Sequence, residues 1–163
     1  PDEAIIDRAM LTEELFLVGA SDGHLQSDSP MHFDAAAKLP LILPEARSGV
    51  VPTLEKLAYV NKASLNVAQR VNSFELLKQI VRSGQGYTIL PKSAIMSELK
   101  VGSLSICAIV DPALNQPVSI GATRDCKVPR LVERADIIIR HTLSALVANG
   151  VWPATLLFEP DAH

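Results

Sequence analysis

Several short clusters in this chain of 163 residues carry side chains that could do chemistry. Gly19-Ala20-Ser21-Asp22-Gly23 follows an apolar run and matches G-x-S-x-G, the turn that exposes a nucleophilic serine between a strand and a helix. That turn needs a helix directly behind it. His24-Leu25-Gln26-Ser27-Asp28-Ser29-Pro30 has no helical stripe, so a turn-rich loop is the favoured reading. A serine hydrolase using Ser21 stands as the enzymatic alternative, with His141 a base only if folding brought it near. Arg47-Ser48-Gly49 offers a guanidinium, a hydroxyl and a flexible backbone ahead of a helix. Together they can hold a carboxylate, and the competing reading is a surface arginine with a capping serine. Asn72-Ser73 supplies two helix-capping types, which can also face a ligand at a cleft. Gly84-Gln85-Gly86 precedes a strand rather than following one and lacks the third glycine of a dinucleotide fingerprint. It reads as a helix C-cap and tight turn whose backbone a ligand could approach.

Other chemistries find less support. His24, His32, His141 and His163 have no metal-ligand spacing with one another or with Cys107 and Cys126. The pairs Asp2-Glu3 and Glu13-Glu14 read as solvated carboxylates, with no acid/base partner in the pattern. No catalytic group, metal or cofactor is therefore expected. Fifteen basic against 18 acidic residues, without a block of either sign, gives a net charge of −3. With aromatics at 4%, that excludes a nucleic-acid surface within the chain. Two cysteines suit a reduced, cytoplasmic protein, Cys107 as a small buried hydrophobe. The acidic start Pro1-Asp2-Glu3 does not look like a signal peptide. Gly150 and Pro153 break the one long uncharged stretch before it could span a membrane.

The elements that must position these clusters alternate. With 48% apolar and 20% charged residues the chain can bury a core. Strands are expected at 15–18, 39–43, 65–71, 87–90, 104–110 and 118–122. Helices are expected after Pro52, after Asn72-Ser73, around Ala94–Leu99 and from Pro129 to Gly150. The last carries the stripe Val132, Ala135, Ile139, Leu143, Leu146. The tail from Gly150 has no period. Such alternation predicts an α/β fold with parallel strands and helices on both faces, ligands lying beyond the carboxyl ends of strands.

The order of elements resembles the effector-binding domain of LysR-type transcriptional regulators. The stretches that carry the likeness are Leu11-Thr12-Glu13-Glu14-Leu15-Phe16-Leu17-Val18-Gly19, Leu39-Pro40-Leu41-Ile42-Leu43-Pro44 with Ser48-Gly49, Val71-Asn72-Ser73, and Glu98-Leu99 with Gly102-Ser103-Leu104. The most specific is Leu76-Leu77-Lys78-Gln79-Ile80-Val81-Arg82-Ser83-Gly84-Gln85-Gly86-Tyr87-Thr88-Ile89-Leu90-Pro91, a helix, Gly-x-Gly, strand and proline in the family's order. Within the family, the first stretches look most like the nitrogen-assimilation-control subgroup. The resemblance implies a type II periplasmic-binding-protein-like fold of two lobes, the second complete and the first partial. Residues 1–19 would be partial lobe I and the first crossover, 20–110 lobe II, 111–150 the second crossover and return, and 151–163 a C-terminal tail. It also implies that the chain is a cytoplasmic ligand sensor and not an enzyme. The effector would be a small metabolite, an organic acid or other small anion, met by Arg47, Ser48, Gly49, Asn72, Ser73, Gln85 and Gly86. DNA would be reached only through an N-terminal helix-turn-helix that this chain does not include, in a homodimer or homotetramer away from any membrane. A transporter's solute-binding protein shares the fold and is the remaining alternative.

Overall fold

The structure is a computed structural model that describes residues 5–22, 25, 27–45, 49–123 and 129–159. Gly23, His24, Arg47, Ser48, Cys126 and His163 lie outside the described residues. The chain divides into two units, Glu14–Gln116 and Pro1–Glu13 with Pro117–His163. The expected lobe II, 20–110, falls inside the first of these.

In the continuous unit the elements are β2 (Met31–His32), α1 (Phe33–Lys38), β3 (Leu41–Pro44), α2 (Val50–Val60), β4 (Val67–Val71), α3 (Phe74–Arg82), β5 (Thr88–Pro91), α4 (Met96–Lys100) and β6 (Leu104–Val110). The second half of the long strand β1 (Ile5–Ala20) joins them. β4 and β3 pair in parallel as a two-stranded sheet, and an isolated parallel bridge from Leu41 to Tyr87, the residue before β5, sets β3 beside β5. β5–β1 and β1–β6 are antiparallel, and β6–β2 is parallel. Helices cover both faces. Leu15, Leu17, Leu41, Leu43 and Ile89 pack with Phe33, Ala36, Val51 and Leu54 of α1 and α2. Val18, Ile42 and Leu90, on the other face, pack with Leu77, Val81 and Ile95 under α3 and the turn before α4.

The expectation of parallel strands throughout therefore needs correction at β1, which is antiparallel to both neighbours. A continuous apolar run reports burial on two faces, which β1 has; it carries no information on direction. Local signals behave as expected. The Ser73 hydroxyl accepts the Leu76 N–H at 3.3 Å, capping α3. Gly84, Gly102 and Gly150 all take positive φ at helix ends.

The split unit contains the first half of β1, β7 (Asn115–Thr123, which begins in the other unit), α5 (Pro129–Ala148) and β8 (Thr155–Leu156). Its core is Met10, Leu11 and Leu143, with Val118, Ile120, Ile139, Trp152, Leu156 and Phe158 packed against it. The tail is not shapeless: β8 pairs antiparallel with Leu11–Thr12. Two paired residues are too few to leave a period in the sequence. Glu13, expected in solvent, is buried, while Glu14 is exposed.

Candidate functional site

The carboxyl ends of β3, β4 and β5 lie at one end of the sheet in the continuous unit. Pro44 pairs with Val71, and the Glu45 N–H donates to the Val71 carbonyl at 2.9 Å, so the loops after β3 and β4 start side by side. Pro91, the last residue of β5, pairs with Leu15, one residue inside the unit's start at Glu14. From β3 the chain leaves toward β4; from β5 it leaves the other way, past β1 to β6. Neighbouring strands whose connections diverge in this way open a crevice beyond their carboxyl ends. Glu45 and Gly49 flank the carboxyl end of β3, and Lys92 and Ser93 directly follow that of β5.

Gly49 begins α2 with φ 80° and ψ −135°, a conformation that strains any side chain, and it is exposed. It cannot cap the helix with a side chain, and Pro52 has no N–H. The backbone amides of Val50 and Val51 thus open the 11-residue helix α2 without a cap from Gly49. Asn72 and Ser73 are exposed beside this loop, at the mouth of α3. The Ser73 hydroxyl is engaged in capping and keeps acceptor capacity. Lys92 is exposed and Ser93 half-buried. Amide donors, a hydroxyl, a carboxamide and an ammonium suit a small anion.

Gln85 and Gly86 do not join them. The Tyr87 N–H donates to the Pro40 carbonyl at 2.9 Å, and the Tyr87 carbonyl accepts from Ile42 at 2.7 Å. Those contacts put residues 85 and 86 beside the beginning of β3, at the opposite end of the sheet. A Cβ on Gly86 would come within 2.8 Å of the Pro40 carbonyl oxygen, so its missing side chain lets two strands pack. Lys92 and Ser93, which the sequence reading did not single out, follow β5, whereas Gln85 and Gly86 precede it. Arg47 and Ser48 belong to the loop between Glu45 and Gly49 but lie outside the described residues.

Ser21 is exposed on a turn, and the next helix among the described residues, α1, begins only at Phe33. Cys107 is buried, its thiol pushed up by desolvation, with Sγ 3.0 Å from the Ser29 carbonyl. Among the described residues no cluster of His, Cys, Asp or Glu could hold a metal, and no helix is long and apolar enough to cross a membrane.

The family profile described as LysR substrate binding domain matches residues 1–140. The HTH-type transcriptional regulator BbuR of Bordetella bronchiseptica is 25% identical over 94% of this chain and 47% of its own length. The nitrogen assimilation regulatory protein Nac of Klebsiella aerogenes is 28% identical over 74% of this chain and 38% of its own. The chain thus spans about half, or less, of these curated relatives. Among solved structures, the regulatory domain of MetR from N. meningitidis superposes with a TM-score of 0.75 at 16% identity, covering 97% of this chain and 73% of that one. The effector-binding domain of QuiR in complex with shikimate gives 0.65 at 18% identity, covering 76% and 58%.

Proposed function

The chain belongs to the LysR substrate binding domain family, a family of transcription factors with a type II periplasmic-binding-protein-like fold, and from that premise we propose that its crevice binds a small organic anion. What supports this reading is the divergence of the connections leaving β3 and β5, with α2 opening after β3 and Lys92 directly following β5. Arg47 would pair with the anion, Ser48 and the amides of Val50 and Val51 would donate to it, and Gly49 would let backbone approach. Asn72 and Ser73 would flank it. Gln85 and Gly86 are left out of this set. That QuiR was solved with shikimate, a carboxylate, favours the organic-acid class. Effector binding shifts the balance between arrangements of the regulator, and a helix-turn-helix of the kind the relatives' names declare would read that shift on DNA. The full protein would be a cytoplasmic homodimer or homotetramer. The family match removes the reason to read the chain as a serine hydrolase or a transporter component.

Calorimetric titration with a panel of small mono- and dicarboxylates, shikimate included, tests the reading. At least one should bind, and Arg47→Ala and Lys92→Ala should each weaken it about tenfold, the scale of one charge-assisted contact. Gln85→Ala should leave it unchanged. Silence across the panel, or equal loss with Gln85→Ala, overturns the assignment.

A further inference from the structure

The segment after Gly150 folds back onto the first half of β1. The N–H groups of Val151 and Trp152 donate to the Leu146 carbonyl, turning the chain back from α5. β8 then pairs with Leu11 and Thr12, and the Leu157 N–H donates to the Met10 carbonyl at 2.9 Å. Trp152, Leu156 and Phe158 pack on Met10, Leu11 and Leu143, and the Arg140 guanidinium lies 4.7 Å from the Phe158 ring centroid. At the end of this strap the Trp152 indole N–H donates to Glu13 Oε1 at 2.7 Å. Glu13 is only 4% exposed and is the last residue of β1 before the chain enters the continuous unit. A buried carboxylate is costly to leave short of donors, so this bond has a direction: it resists withdrawal of the strap.

We propose that residues 151–159 form a clasp on β1, latched by the Trp152–Glu13 hydrogen bond, that opens and closes as a unit without unfolding of residues 14–116. The strap contributes few buried groups beyond those named, and the opening of such a segment costs less than global unfolding.

Native-state hydrogen exchange on the whole chain decides the matter. In the wild type, the Leu157 amide should exchange through an opening less sensitive to denaturant than that exposing Leu41, Ile42 and Tyr87. Trp152→Phe keeps an aromatic ring and removes the donor. It should speed exchange at Leu157 about tenfold while Leu41, Ile42 and Tyr87 stay within about twofold. Glu13→Gln keeps an acceptor for the indole and should stay near the wild type at Leu157. Were Trp152→Phe to fold poorly, the wild-type denaturant series would stand alone as the test. Equal denaturant sensitivity at both sets of amides, equal acceleration of both in Trp152→Phe, or no acceleration at Leu157 would each overturn the clasp.

Discussion

The two units use apolar residues in opposite ways. In the continuous unit a sheet is sandwiched between α1 and α2 on one face and α3 and α4 on the other, and its strands are apolar on both. In the split unit the 20-residue helix α5 buries Leu143 yet leaves Leu131, Ile137 and Ile138 about 60% exposed. Val132, Ala135 and Ile139 of α5 line an open groove of about 380 Å³, together with Arg8, Ile120 and Asp136. Arg8 and Arg140 both bond the Asp136 carboxylate at its edge. Apolar side chains thus meet unequal burial in the two units. What separates the units is whether a second layer closes over each apolar face, and stability should follow the closed layers rather than the composition.

Removing a core side chain from each unit should expose that contrast most strongly. Leu54→Ala, beneath α2, should cost about 3–4 kcal/mol in denaturant unfolding, because its fully packed site cannot collapse around the cavity. Leu143→Ala should cost about 2 kcal/mol or less, since Leu143 is 8% exposed and belongs to a small cluster with Met10 and Leu11 whose neighbours are only partly buried. Equal costs would break the comparison.

The ion pair between α3 and α4 gives a smaller effect with a pH signature. Lys78 Nζ lies 2.7 Å from Glu98 Oε1, both side chains being largely buried, and the Ser97 hydroxyl donates to the other carboxylate oxygen at 2.8 Å. The hydrogen bond from Lys78 holds the Glu98 carboxyl below its usual range, and the same bond raises Lys78 above its own. A depressed carboxyl contributes stability that is present above its ordinary pKa of 4.5 and lost as pH falls through the lower folded value. A raised ammonium contributes stability that is present below 10.5 and lost as pH climbs through the higher folded value. Lys78→Met should cost about 2–3 kcal/mol at neutral pH, by stranding a buried carboxylate, and should flatten both limbs of the stability profile. An unchanged acid limb would show that Glu98 owes its charge to other groups.

Least in size, and opposite in sign, is Thr88→Val. Thr88 is buried on β5 and its hydroxyl has no hydrogen-bond partner among the described residues. Replacing it with a methyl of similar shape should stabilise the protein by up to about 1 kcal/mol, read as a raised Tm. Destabilisation would point to a hydroxyl partner, such as water, inside the core.

Much of the local structure was written in neighbouring residues. Asn72-Ser73 announced the start of α3, Gly84 its end, and the apolar runs at 15–18 and 104–110 the strands that pair as Val18↔Ile106 and Leu17↔Cys107. Each of those signals acts within a few residues, through a cap, a positive φ or a burial pattern. The candidate site was legible only in part. Asn72, Ser73 and Gly49 stand at the carboxyl end of the sheet, but Gln85 and Gly86 stand at the other. The Gly-x-Gly pattern advertises backbone freedom, and at Gly86 that freedom serves strand packing against Pro40.

Alone, the sequence determined where the chain turns, which segments are strands or helices and which residues seek a core, because propensity, capping and period are local. Only tertiary structure decided that β1 runs against its neighbours, that Glu13 is buried under Trp152, and which strand ends share a crevice. Strand order and direction depend on contacts between residues far apart in the chain. For those contacts many arrangements satisfy the same local pattern, and packing selects among them.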